Sequence, residues 1–264
     1  MLDLSIRITP ATIDAIKARL REALPDVKSS HRIEAAARSF GFGTYAAMRH
    51  ASQSGACHIA GPDGSAFSSY LENRGFKSSP IHIYRAAANV AVTSVMEKGP
   101  RLSIWGYGFG QPHWISERKR WETEKERYEK FTKDRAEFLS NGGLDQFLLA
   151  LALVRRIPKT KTIRKGTGSY RLKHIAENMP FACPDGTKLG PRYVANGALI
   201  AAALYAGFKM KTYVDHLGYD HINVSFNMSK KAIDDLDCEM RPNSGFSQDR
   251  ARALERRKKP WLYH

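Results

Sequence analysis

A continuous apolar segment, LDQFLLALALVRRI (residues 144 to 157), constrains the fold of this chain more than any other stretch. Its apolar residues surround most of the circumference of a helix, and a helix that is apolar on all sides has to be buried. Pro158 ends this helix, and the overlapping stretch RRIPKTKTIRKGTGSYRLK (residues 155 to 173) holds eight Lys or Arg and no Asp or Glu. The sequence therefore predicts a core helix that leads directly into a cationic segment.

Helix signals recur along most of the chain. Apolar residues three and four apart between Ile13 and Leu24 predict an amphipathic helix that Pro25 ends. The segment SSHRIEAAARSFGFGTYAAMRHAS predicts two helices separated by a glycine break. In KMKTYVDHLGYDHINVSFN, apolar and polar residues alternate on both sides of Leu217-Gly218, which predicts a β-hairpin. The expected fold class is α+β, mainly α-helical.

Three regions follow from these patterns. Residues 1 to 113 form a helical N-terminal module, residues 114 to 138 a long charged connecting helix, and residues 139 to 264 a basic C-terminal module that carries the hairpin. The connecting helix is predicted because Trp114, Trp121 and Tyr128 recur every seven residues in a stretch rich in both charge signs. Its narrow apolar face packs on its own protein or pairs with another chain.

The glycines of RLSIWGYGFGQPHW do not indicate a nucleotide site. Gly106, Gly108 and Gly110 alternate with other residues, but Pro112 follows them and no third glycine opens a helix, as a dinucleotide-binding fold requires. We interpret the stretch as a connector with aromatic anchors that pack on the first module.

Charge indicates the class of partner. The chain of 264 residues has 42 Lys and Arg against 26 Asp and Glu, a formal charge of +16. Residues 139 to 264 hold 21 of the positive and 11 of the negative charges, so +10 of this charge lies there. Proteins this basic usually bind nucleic acid or anionic membranes.

Other features restrict compartment and chemistry. No apolar run approaches the roughly 18 residues that span a bilayer, and the N-terminus lacks the pattern of a signal peptide, so no membrane association is expected. The three cysteines are too widely spaced for a zinc ribbon or a disulfide framework. A cytoplasmic protein without metal or cofactor fits these observations.

Several short patterns carry a family resemblance. Three stretches resemble a small helical segment, labelled glyoxalase-related, of some plasmid- and phage-borne proteins. They are the helical pair quoted above, FSSYLENRGF and IHIYRAAANVAVTSVMEKGPRLSIWGYGFG. GSYRLKHIAE and PRYVANGALIAAALYAGF are similar to proteins encoded on plasmids and integrative elements. The resemblance implies a protein of a mobile genetic element with an interaction module at its front. It does not imply glyoxalase activity, because His31, His50, His58 and His82 form no metal-ligand pattern.

The cationic segment is predicted to bind phosphate. Gly166 and Gly168 let the backbone approach a phosphate, and Ser169 supplies a hydroxyl at the positive end of the following helix. A second cationic stretch, RARALERRKKPWLYH, lies near the C-terminus. The candidate nucleic-acid-binding residues are Arg155, Arg156, Lys159, Lys161, Arg164, Lys165, Ser169, Tyr170, Arg171, Lys173, Arg250, Arg252, Arg256, Arg257, Lys258, Lys259 and Trp261. The alternative is that the segment is a solvated linker.

One pattern permits catalysis. In VDHLGYDH, the dipeptides Asp215-His216 and Asp220-His221 flank the predicted turn, so that two imidazoles oriented by carboxylates could serve a metal-independent ribonuclease. Lys211 or Arg192 would hold the phosphate. The simpler interpretation is the ordinary polarity of a hairpin tip.

The sequence therefore favours a non-enzymatic, nucleic-acid-binding accessory protein of a plasmid, phage or integrative element. DNA and RNA are both open as partners. The alternatives are a ribonuclease or toxin that uses the paired histidines, and an inhibitor that binds an acidic protein.

Overall fold

The fold is known from a computed structural model that describes residues 3 to 183 and 186 to 258. The helices in these ranges are α1 Pro10–Ala23, α2 Ser29–Ser39, α3 Tyr45–Gln53, α4 Gly64–Glu72, α5 Ile81–Lys98, α6 Glu124–Phe138, α7 Asn141–Val154, α8 Ser169–Glu177, α9 Asn196–Tyr205, α10 Lys230–Met240 and α11 Gly245–Lys258. The strands are β1 Ile6–Arg7, β2 Ile59–Ala60, β3 Leu102–Ser103, β4 Gly106–Tyr107, β5 Trp114–Ile115, β6 Arg120–Trp121, β7 Phe181–Ala182, β8 Lys188–Gly190, β9 Met210–Val214 and β10 Asp220–Phe226. Each odd-numbered strand pairs antiparallel with the next even-numbered one. The predicted α+β, mainly helical fold is confirmed.

The apolar helix predicted from the sequence lies at the centre of the molecule. Leu144, Leu148 and Leu151 of α7 are completely buried, and α7 packs against α5 and α9. Helix α9 consists mostly of small residues, which allows close contact with the chain around it. At Gly197, a side chain would come within 2.6 Å of the Ile104 carbonyl oxygen.

The N-terminal helices join the same core. Helix α1 packs on α5, α2 packs on α4, and one cluster of buried apolar side chains extends from Leu4 to Leu236. The carboxylate of Asp145 in α7 is buried between Arg85 of α5, at 2.8 Å, and Arg192, at 2.6 Å. Apolar packing and ion pairs therefore connect the predicted N-terminal and C-terminal modules.

The predicted helix over residues 114 to 138 begins ten residues later, at Glu124. Thr123 and Glu126 form a capping box, which fixes the start of the helix at this position. Before it, β5 and β6 form a short hairpin whose turn includes Lys119 at a φ of 47°. Trp114 and Trp121 face each other across this hairpin with ring centroids 5.5 Å apart. The seven-residue spacing of the tryptophans therefore reflected cross-strand pairing instead of a helical face.

The glycine-rich connector packs differently from the prediction as well. At Gly106 and Gly108 the backbone has φ values of 155° and 87°, and both residues lie directly against β10. A side chain at Gly106 would meet the Ile222 carbonyl oxygen at 2.5 Å. Tyr107 packs on the apolar core, as expected for an aromatic anchor, whereas Trp105 and Phe109 are partly exposed. The glycines instead bring this segment against the C-terminal hairpin.

None of the helices in the described ranges combines the length and the apolar content that crossing a membrane requires.

Candidate nucleic-acid interface

The middle of the cationic segment, residues 158 to 168 (the basic loop), runs along the edge of β10 that does not pair with β9. At one end, Thr160 N donates to the Asn227 carbonyl oxygen and Asn227 Nδ2 donates to the Thr160 carbonyl oxygen, both at 2.7 Å. At the other end, Thr167 Oγ1 donates to the Phe226 carbonyl oxygen at 2.7 Å. Because hydrogen bonds fix both ends, the loop has a defined position on the hairpin.

Four cations of the basic loop lack an acidic partner. Lys159, Lys161, Arg164 and Lys165 are exposed, and none forms an ion pair with a carboxylate of the described residues. Lys159 Nζ lies 5.6 Å from the centre of the Phe208 ring, which keeps it at the surface beside the hairpin. Like charges without counter-charges produce a positive potential that attracts anions.

Strand β9 extends the positive surface. Lys209 and Lys211 are exposed and likewise have no carboxylate partner in the described part of the chain. Lys211 is opposite Ser225 of β10, and the other neighbour of Ser225 is Gly168 of the basic loop. We call the set of Lys159, Lys161, Arg164, Lys165, Lys209 and Lys211 the basic surface. Sequence reasoning did not include Lys209 and Lys211 in the interface, because only the pairing of β10 with both segments brings them together.

Helix α10 neutralises other cations of the two predicted stretches. It carries four acidic residues on the sequence DDLDCE. The ion pairs are Arg156 with Glu239 at 2.6 Å, Arg171 with Asp234 at 2.8 Å and with Asp237 at 2.7 Å, and Arg250 with Asp235 at 2.5 Å. These ion pairs hold α8, α11 and the segment that follows α7 against α10, so the charges of these cations are largely balanced within the protein.

The predicted phosphate cradle at KGTGS is filled by the protein itself. Ser169 is 0% exposed, and its hydroxyl accepts a hydrogen bond from Val224 N of β10 at 3.1 Å. Lys173 is also buried, and its ammonium group lies 2.9 Å from Glu177. Neither residue has surface to offer a ligand, so both drop out of the candidate interface. The start of α8 packs on the hairpin instead of facing solvent.

The remaining candidate residues differ in their exposure and in their ionic partners. Tyr170 is exposed, with its ring against His174, and stays available for stacking. Arg155 pairs with Asp3 at 3.2 Å, and Arg252 pairs with Asp249 at 2.8 Å. Three further candidates, Arg256, Arg257 and Lys258, are exposed in the last turn of α11. Lys259 and Trp261 lie outside the described residues.

The hairpin is confirmed, but the predicted Asp-His pairs do not form. The carboxylate of Asp215 accepts hydrogen bonds from Gln111 Nε2 at 2.6 Å and from two backbone amides of the turn. The Gln111 hydrogen bond lowers the pKa of Asp215, and with the backbone amides it outweighs the opposing effect of desolvation. Asp220 forms an ion pair with Arg101. Both carboxylates therefore bind the segment that carries Arg101 and Gln111, and neither orients an imidazole.

The histidines themselves are exposed at different places. His216 lies in the turn, whereas His221 is in β10 opposite Tyr213. His221 Nδ1 accepts from Asn223 N at 3.2 Å. Arg192, which the catalytic interpretation assigned to phosphate, is bound to buried Asp145. Neither Asp215 nor Asp220 is hydrogen-bonded to an imidazole, so the predicted pairing of each carboxylate with its histidine is wrong.

No group of three or more His, Cys, Asp or Glu side chains within residues 3 to 183 and 186 to 258 is arranged to hold a metal ion. Comparison of the chain with protein-family models, with curated proteins and with solved structures finds no match.

Proposed function

We propose that this protein binds nucleic acid, without catalysis, through contacts between phosphates and the basic surface. One observation carries the proposal. The basic loop is fixed on β10 by hydrogen bonds, yet its four cations have no carboxylate partner among the described residues. A role as accessory protein of a mobile genetic element rests on the sequence resemblance alone.

The contrast with neighbouring cations argues against a solvated linker. The chain supplies acidic partners for Arg156, Arg171 and Lys173 in the same stretch, but no carboxylate of the described residues pairs with the loop between them. Holding like charges together in a fixed loop costs free energy that a polyanion offsets. Each Lys or Arg that neutralises a phosphate also releases counterions, which makes the affinity strong at low salt and independent of sequence.

Aromatic side chains next to the cations favour a strand with accessible bases. Tyr213 of β9 is partly exposed and lies under Lys211 Nζ at 5.4 Å. Tyr170 is exposed at the start of α8, next to the end of the basic loop. Base stacking on such rings is tolerant of sequence.

Fluorescence anisotropy with labelled single- and double-stranded DNA and RNA, at several salt concentrations, tests the proposal. The variant in which Lys159, Lys161, Arg164 and Lys165 are replaced by Ala should bind at least about 100-fold more weakly at low salt. The slope of log affinity against log salt should become shallower by up to about 3 to 4 for duplex DNA, since each lost contact contributes about 0.9.

A matched control removes the same number of charges elsewhere. Arg21, Lys28, Arg49 and Lys77 are exposed cations of the N-terminal half, and their replacement by Ala should leave the slope unchanged. Equal losses in both variants would mean that net charge alone drives binding, and the assignment to the basic surface would be wrong. If purified protein binds no nucleic acid at low salt, but a pull-down through the same four cations survives nuclease treatment, the partner is an acidic protein.

A further inference from the structure

An open cavity of about 920 Å³ lies at the tip of the β9-β10 hairpin, away from the basic loop. The glycine-rich segment 103 to 113 forms one wall, helix α6 a second, and the hairpin residues 215 to 223 a third. Ligand-binding clefts have volumes of this order, roughly 300 to 1,000 Å³. The close packing of Gly106 and Gly108 on β10 forms this site, because it brings the aromatic residues next to these glycines against the hairpin.

Two aromatic rings are exposed on the wall of this cavity. Trp105 is 48% and Phe109 is 38% exposed. Phe109 rests on Phe131 of α6, with ring centroids 4.5 Å apart, and this contact holds it in place. Large rings that are supported on one side and open on the other offer surfaces on which a planar ligand stacks.

Two residues of the cavity wall also carry a buried polar atom without a hydrogen-bond partner. Nε of Arg127 is a donor, Oδ1 of Asn223 is an acceptor, and neither has a hydrogen-bond partner. The guanidinium is fixed because its Nη2 donates to the Gly110 carbonyl oxygen at 2.5 Å. Both atoms have almost no solvent-accessible surface, so they lie behind the cavity wall, and the exposed aromatic rings are the groups that a ligand would contact.

The charge of the cavity excludes a phosphate as the group that enters. Its walls carry more carboxylates than cations: Glu122, Asp134, Glu137, Asp215 and Asp220 against Arg127, Lys130 and Lys133. Burial raises the pKa of Asp134, with a smaller opposing effect of the hydrogen bond from Trp105. The chemistry of the site therefore suits a planar, uncharged group with donors and acceptors along its edge.

We propose that this cavity receives an unpaired nucleobase of the strand whose phosphates lie on the basic surface. Strand β9 connects the two sites. Only Ser225 of β10 separates Lys211 from Gly168 of the basic loop, and the other end of β9, at Val214, reaches the tip that borders the cavity. Its five residues span about 16 Å, which a few nucleotides cover. The inference rests on the proposed function, and it adds that single-stranded nucleic acid is preferred and that bases contribute to affinity.

The experiment compares two single-stranded DNA oligonucleotides of equal length and charge, one with all bases and one with consecutive abasic residues at its centre. Wild-type protein should bind the complete strand about tenfold more tightly, since stacking of one base contributes a factor of this order. Trp105→Ala should reduce the difference several-fold and leave only the contribution of Tyr170 and Tyr213, whereas Trp105→Phe, which keeps an aromatic face, should retain most of it. An unchanged difference in Trp105→Ala would contradict the inference. Tyr128→Ala is the matched control, because Tyr128 is an exposed aromatic residue of α6 that does not line the cavity.

The possible failures are distinguishable. Equal binding of both oligonucleotides by wild-type protein would overturn the cavity inference and leave the phosphate contacts of the proposed function intact. No binding of either would overturn both. If Trp105→Ala does not fold, Phe109→Ala removes the other exposed ring and should reduce the same difference. Competition by arginine amide but not by free nucleosides, measured through tryptophan fluorescence, would show that the cavity takes an organic cation and would also refute the inference.

Discussion

The basic loop and helix α8 belong to one cationic stretch of sequence, but their cations have opposite environments. Lys161 and Arg164 of the loop are exposed without a carboxylate, whereas Arg171 of α8 binds both Asp234 and Asp237. The partner Asp237 is 66 residues away along the chain. A cationic run in a sequence therefore identifies a binding surface only where no distant segment supplies carboxylates.

The two environments have different energetic consequences. A cation that is held by a buried carboxylate contributes to folding, because removal of either partner leaves an uncompensated charge. An exposed cation contributes almost nothing to stability and is free to bind an external anion. The free energy of unfolding and the nucleic-acid affinity should consequently depend on different cations within residues 155 to 173.

The largest expected effect is on stability. Asp237 is completely buried between Arg171 and Arg241, so Asp237→Ala should lower the free energy of unfolding by about 3 to 5 kcal/mol. Urea denaturation followed by circular dichroism measures this change. Lys161→Ala is the control and should change stability by less than about 0.5 kcal/mol. A similar small change in both variants would remove the energetic distinction between the loop and α8.

The ion pairs of Asp234 with Arg171 and Lys230 should also make the free energy of unfolding depend on pH. Burial alone raises the pKa of Asp234, but hydrogen bonds from Lys230 and Arg171 outweigh it, so the folded pKa is below the ordinary value of 3.8. The stabilisation is therefore complete above pH 3.8 and is lost as the pH falls through the folded value. At neutral pH, Asp234→Asn should lower stability by about 2 kcal/mol.

Thermal unfolding from pH 7 down to pH 2 tests this dependence. The difference in melting temperature between wild-type protein and Asp234→Asn should shrink as the pH falls through the lowered pKa of Asp234, because the carboxylate loses its charge there. A difference that stays constant over the whole range would show that the carboxylate charge does not stabilise the fold.

Much of the fold follows from local patterns. The apolar run of α7, the hairpin at Leu217-Gly218 and the helical fold class were predicted correctly, since each depends on periodicity and turn residues within one segment. The helix over residues 114 to 138 was predicted too long because a period of seven fits both a helix and the opposed tryptophans of a hairpin.

The candidate site was less predictable because it depends on pairing between distant segments. Ser169 and Lys173 carry the residue types of a phosphate cradle, yet β10 and Glu177 occupy their polar groups. Lys209 and Lys211 joined the site only through the position of β10 between β9 and the basic loop. The cavity near Trp105 could not be predicted either, because the glycines that form its wall contact residues more than 100 positions away.

An intermediate effect is expected where β9 extends the basic surface. Replacement of Lys209 and Lys211 by Ala should weaken nucleic-acid binding about tenfold at 0.1 M salt and make the salt slope shallower by up to about 2. The matched control is the double variant Arg21→Ala, Lys28→Ala, which removes two exposed cations far along the chain. Unchanged affinity in the β9 variant would restrict the interface to the basic loop.

The smallest effect is expected for the end of α11, although its last turn carries the exposed cations Arg256, Arg257 and Lys258. Phe246 at the start of α11 packs on Arg171, and the 14 residues of the helix carry Arg257 and Lys258 about 20 Å further along its axis. The Debye length at 0.1 M salt is about 10 Å, so charges about 20 Å along the helix are largely screened from groups beside Arg171. Replacement of Arg257 and Lys258 by Ala should therefore weaken binding less than twofold in the same anisotropy assay. A loss equal to that of Lys161→Ala with Arg164→Ala would instead place the last turn of α11 in direct contact with nucleic acid, and the interface would then extend beyond the hairpin.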